Sequence, residues 1–151
     1  MTITSSIFQS NEYLNERYTC DGLDRNPPLR FGEIPQDAKS LVLIVDDPDA
    51  PTGSFAHWLV WNIDPKLESI KEGTVPTGGV EGRNSGGKIG YMGPCPPTGH
   101  AHHYQFKLFA LDTLIDLPEG TQQSELESRI QKHILESAEL TGLYARSSIP
   151  R

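Results

Sequence analysis

Four side chains able to do acid–base or anion chemistry stand at or near the ends of apolar runs: Asp47, His57, His102 and Tyr104. A carboxylate within about 4–6 Å of an imidazole favours the charged ring, so two such rings beside a phenol can form a small anion site for phosphate, sulfate or a phosphoryl head group. On this reading a neighbouring carboxylate keeps an imidazole cationic near neutral pH, and the two rings act as imidazolium or N–H donors. The same residues could instead hold a metal as two histidines and a carboxylate, or act as general acid and base. Neither an HxxxH pattern nor a nucleophile elbow, SxxK or Cys-His signature accompanies them, so a hydrolase or metal-dependent enzyme using Asp47, His57 and His102 is the alternative to a binding site.

Each of the four comes from a distinct cluster. Asp46-Asp-Pro-Asp-Ala-Pro51 places three carboxylates among two prolines, and its ordinary reading is a polar turn, since the DxDxDG spacing of a calcium loop is missing. The prolines nevertheless reduce the entropy lost in holding a carboxylate in place. His57 opens an aromatic run and gains meaning only from company. That company is Gly93-Pro-Cys-Pro-Pro-Thr-Gly-His-Ala-His-His-Tyr104, which holds three of the five histidines directly before a strand pattern. There Tyr104, Phe106, Leu108 and Ala110 share one parity, so one step back puts His102 inward and His103 towards solvent. Cys95 reads as an inert thiol between prolines. Gly86-Gly-Lys-Ile-Gly-Tyr-Met-Gly93 lacks GK[ST] and runs into Pro94 instead of opening a helix, so it is no nucleotide loop.

The elements that must position these residues are mostly extended. Leu41 to Asp46 is apolar on both faces, His57 to Ile63 is aromatic and β-branched, and Tyr104 to Leu111 begins with alternation. Weaker extended signals lie at Ile3 to Phe8, Pro28 to Phe31 and Leu143 to Arg146. The one helix reads from a capping box, Ser124 to Glu127, through Leu126, Ile130, Ile134 and Ala138 at i+4 spacing, with His133 beside the stripe and Gly142 as C-cap. Nine of the 14 glycines fall between Gly73 and Gly99, with Pro94, Pro96 and Pro97, so that run is a loop and reads as a pocket wall. The expectation is a single domain over 1–151, mainly β, a sandwich with Greek-key links and a peripheral C-terminal helix.

A net charge of −7 with singly scattered basic residues argues against nucleic acid and against stable membrane association as partners. No basic, apolar leader opens the chain, which makes the cytoplasm the default address. There Cys20 and Cys95 read as free thiols.

Asp47-Pro-Asp-Ala-Pro51, His57-Trp58, Gly90-Tyr-Met-Gly-Pro-Cys-Pro-Pro97 and His102-x-Tyr104 occur in that order, flanked by Tyr18-Thr-Cys-Asp-Gly22, Ala110-Leu-Asp112 and Gly142-x-Tyr144-x-Arg146. Together they resemble the phosphatidylethanolamine-binding protein (PEBP) family in its bacterial and archaeal Raf-kinase-inhibitor-like branch. The resemblance implies a sandwich of two antiparallel sheets and a small pocket for phosphate-like anions, with no cofactor and no metal. By motif position it implies Asp47, His57, His102 and Tyr104 as pocket residues, with Gly93 and Pro96 or Pro97 as wall. It also implies regulation of signalling or kinase partners. His103 stands where that branch usually has Arg, and no helix is expected after Arg146, which leaves the pocket open or closed by a second copy of the chain. The function expected is that of a non-enzymatic or weakly enzymatic binding protein.

Overall fold

The protein is described from a computed structural model covering residues 1–146. The expectation that no helix follows Arg146 concerns 147–151, outside the described residues. Among the described residues, nine strands and one α-helix, with a short 3-10 turn at Glu16–Tyr18, appear in the order β1 (Thr2–Thr4), β2 (Glu12–Tyr13), β3 (Leu29–Gly32), β4 (Ser40–Asp47), β5 (Phe55–Ile63), β6 (Ser69–Ile70), β7 (Val80–Glu81), β8 (His102–Leu111), α1 (Gln123–Ile130) and β9 (Ile134–Tyr144). They form a small sheet, β1-β3-β6, and a large sheet, β2-β9-β8-β4-β5-β7. Pairing is antiparallel except between β2 and β9, which run parallel. After β5 the chain leaves by the β7 edge and returns on the far side of β4 as β8, a connection of Greek-key type.

β4 lies between β5 and β8, and all eight of its residues are buried, as its apolar run on both faces requires. Its odd residues, Leu41, Leu43 and Val45, meet Leu29, Phe31 and Ile70 of the small sheet in the inter-sheet core. Its even residues, Val42 and Ile44, meet Leu126 and Ile130 of α1 in a second core. The inward parity of Tyr104, Phe106, Leu108 and Ala110 holds, and all four lie in the inter-sheet core.

The C-terminal helix is much shorter than the i+4 pattern suggested. α1 ends at Ile130, and Gln122, whose side chain makes no capping bond, stands at the N-cap position in place of Ser124. From Ile134 the chain is strand, pairing with β8 from His102↔Tyr144 to Leu111↔Ile134. The residues read as a helical stripe also contain a period of two, in which Leu140, Gly142 and Tyr144 are buried. Backbone pairing along the whole of β8 outweighs a local helical preference. Gly142 is therefore a strand residue and not a C-cap; a Cβ there would fall 2.9–3.2 Å from three side-chain atoms of Leu14. His133 lies in the turn between α1 and β9, where its Nδ1 is 2.8 Å from Asp112. Cys20 and Cys95 are not free thiols but a disulfide with Cα atoms 5.4 Å apart. No described helix is long and apolar enough to cross a membrane.

Candidate functional site

The ends of three adjacent strands, β8, β4 and β5, and the loops beside them build the site. Asp47 ends β4 and His102 opens β8, and the side chains meet at 2.6 Å, Asp47 Oδ2 to His102 Nδ1. Asp47 follows the odd parity of β4 and so sits on the inter-sheet side, whereas Asp46 points to the helix side, where it accepts from Lys107 Nζ at 3.1 Å and Gln123 Nε2 at 2.9 Å. Adjacent carboxylates thus serve opposite faces of one sheet.

His57 reaches the same side through an irregularity. Val45 pairs with Trp58 and Asp46 with Ala56, which leaves His57 as the extra residue of a β-bulge. Ala56 faces the helix-side core and Trp58 the inter-sheet core, so the bulge lets His57 turn into the cavity without displacing either. Its ring lies between Phe55, with centroids 4.9 Å apart, and Tyr104, at 5.2 Å edge to face.

The loop wall is fastened at several points. His57 Nδ1 donates to the Met92 carbonyl at 2.6 Å, and Met92 N–H donates to the His57 carbonyl at 2.9 Å. Gly93 N–H donates to Asp24 Oδ1 at 2.7 Å, Cys20 N–H to the Pro94 carbonyl at 3.1 Å, and the Tyr91 hydroxyl to the Tyr18 carbonyl at 2.7 Å. The disulfide closes over the same segment. Gly93 permits this approach, since an added Cβ would lie 2.5 Å from the Tyr18 carbonyl oxygen. Of the long glycine-rich run, only Met92 to Pro97 borders the cavity, so the wall is narrower than the loop from Gly73 to Gly99.

The cavity measures about 190 Å³ and is lined by Asp47, His57, Gly93, Pro96, Pro97, His102 and Tyr104, all seven singled out above. Ala50, Pro51, Phe55, Met92 and Cys95 complete the lining. Sequence reasoning did not assign these five, although Ala50, Pro51, Met92 and Cys95 fall within the quoted motifs. Across the rim a second pair runs beside Asp47–His102: the His103 N–H and Nδ1 approach Asp49 Oδ2 at 2.8 and 2.7 Å, and Asp49 N–H donates to Asp47 Oδ1 at 2.8 Å. His103 faces solvent as its parity required, yet it anchors the Asp47–Pro51 turn.

Electrostatics correct one expectation. Burial holds the His57 imidazole below its ordinary pKa, against the opposing pull of its Met92 hydrogen bond and of Asp47, Asp46 and Asp24, so this ring does not rest as a cation. Burial, with the charges of Asp47 and Asp49, pushes the Tyr104 phenol well up, so it remains a hydroxyl. The hydrogen bonds from His103 hold the Asp49 carboxyl below the usual range. Among the described residues, no group of three or more His, Cys, Asp or Glu is arranged to hold a metal ion.

The sequence and the fold have counterparts among known proteins. The family model described as phosphatidylethanolamine-binding protein matches residues 4–145. The chain belongs to the phosphatidylethanolamine-binding protein family. A UPF0098 protein of Pyrococcus abyssi is 51% identical, covering 97% of this chain and 86% of its own length. Another from Methanothermobacter thermautotrophicus is 42% identical over 97% and 99% of the two chains. Among solved structures, a putative PEBP homologue from Chlamydia trachomatis superposes with a TM-score of 0.91 at 38% identity, covering 97% of each chain. YbcL of Escherichia coli, described as a member of the mammalian PEBP family, gives 0.91 at 31% identity, covering 97% of this chain and 98% of its own.

Proposed function

We propose that this PEBP-family chain is a non-enzymatic binding protein whose cavity takes a phosphoryl-type oxyanion. The observation carrying the reading is the Asp47–His102 contact at 2.6 Å inside an otherwise mostly apolar cavity of about 190 Å³. Asp47 is the counter-charge for a proton on Nε2 of His102, which then becomes a charge-assisted donor. The volume is below the roughly 300–1,000 Å³ of drug-sized pockets, which favours a head group over a whole lipid. The acidic surface likewise favours a soluble or protein-borne phosphoryl group over an anionic membrane. Among the described lining residues, Cys95 is in a disulfide and burial keeps the Tyr104 phenol protonated, so neither of these two side chains favours a covalent hydrolase. Regulation of signalling or kinase partners through this cavity is the extension that family resemblance suggests.

The test is an NMR titration with inorganic phosphate. The His57 and His102 ring signals should shift, and His102→Ala should abolish the response. Unmoved rings at phosphate on the order of millimolar would sink the reading.

A further inference from the structure

The cavity holds an asymmetry that a simple anion site lacks. Among the described residues, no lysine or arginine lines it, and the polar side chains there are Asp47, His57, His102 and Tyr104. The nearby cations are used elsewhere, Lys107 on Asp46 across the sheet and Arg146 on Asp21. Both imidazoles have also spent their Nδ1 position. A carbonyl only accepts, so His57 Nδ1 carries its proton towards Met92 at 2.6 Å, and His102 Nδ1 faces the Asp47 carboxylate at 2.6 Å. In its neutral form each ring therefore offers Nε2 as a lone pair. Every N–H that an oxyanion receives from these rings is an added proton.

The two rings differ in where that proton finds compensation. His102 touches Asp47 directly. His57 is 5% exposed and has no carboxylate in contact; Phe55 on its own strand and Tyr104 of β8 flank it, the Met92 carbonyl of the loop takes its Nδ1 proton, and Asp47 and Asp46 of β4 and Asp24 act only at longer range. It stands in the cavity as a hydrogen-bond acceptor.

Resting on the phosphoryl-anion reading, we propose that the cavity takes an oxyanion carrying its own hydrogen-bond donor, with one proton shared between a ligand O–H and Nε2 of His57, so that His57 selects hydrogen phosphate over a fully ionised anion such as sulfate. One face of the ligand accepts from protonated His102 and the other donates to His57. Sulfate has no O–H, and to bind it His57 must draw a proton from solvent. Burial of His57 opposes that protonation, and drawing the proton from solvent becomes about tenfold less favourable per pH unit.

Calorimetric titration of the intact protein with inorganic phosphate and with sulfate, between about pH 8 and about pH 9.5, decides this, because phosphate is then mainly hydrogen phosphate, which carries the same charge as sulfate and differs from it by one O–H. Sulfate should take up about one more proton per ion than phosphate, and the preference for phosphate should grow about tenfold per pH unit. In His57→Gln, whose amide both donates and accepts, the preference should become independent of pH. A preference that stays constant with pH in the parent protein overturns the proposal and leaves the phosphoryl-anion reading standing. A pH-dependent preference that survives His57→Gln overturns it too, since the proton then belongs to another group. Failure of both ions to bind at any pH overturns the anion reading itself.

Discussion

His57 is a buried titratable side chain held neutral, and that has a measurable consequence without any ligand. Its folded-state pKa lies below the ordinary value of 6.5, so between the two values the unfolded chain binds more protons than the folded one. Stability is therefore fully present above about pH 6.5 and falls as pH drops through that value towards the depressed one. Urea midpoints measured from about pH 8 down to about pH 5.5 should decrease, and His57→Gln should flatten that part of the profile. A midpoint in the parent protein that rises over this interval would mean that the ring is stabilised as a cation. Asp49 acts at lower pH: its carboxyl is held down by His103, and the stability it contributes is lost only as pH falls through its depressed value.

At the scale of elements, the site depends on one irregular strand and one tightly seated loop. The bulge in β5 re-aims His57, and the Gly93 segment lets the loop backbone rest on the Tyr18–Thr19 backbone. Neither neighbour of Gly93 can yield, because the atoms an added Cβ would meet include the Tyr18 carbonyl oxygen at 2.5 Å and Thr19 Cα at 2.9 Å, both backbone. Gly93→Ala should cost about 1–3 kcal/mol by urea denaturation and weaken phosphate binding, because the wall must move outward. Unchanged stability and affinity would show that the loop is less tightly seated. The misread helix has its explanation at this scale too. Leu126 and Ile130 do form a buried helical face, but the stripe continued over Ile134 and Ala138 belongs to a strand whose partner, β8, lies more than 20 residues earlier.

Over the whole molecule, the Cys20–Cys95 bridge joins the segment after the first turn to the cavity wall across 75 positions. Replacing both cysteines by serine should lower stability by about 2–4 kcal/mol in urea and reduce phosphate affinity, with reductant reproducing the loss in the parent protein. Equal stability with and without reductant would show that the hydrogen bonds from Gly93 and Cys20 hold the wall alone. Such bridges persist in oxidising compartments and in hyperthermophile interiors. The residues themselves determined a great deal: the buried central strand, the inward parity that singled out His102 and Tyr104, the rigid Asp47 turn and the ordered motifs of the PEBP family. These are legible because period and local stiffness are properties of consecutive residues. Tertiary structure alone decided that β9 is a strand, that two distant cysteines meet, that a bulge turns His57 inward, and that this ring rests neutral. Each of those depends on partners far along the chain, and on the cost of burying a charge, which no local pattern records.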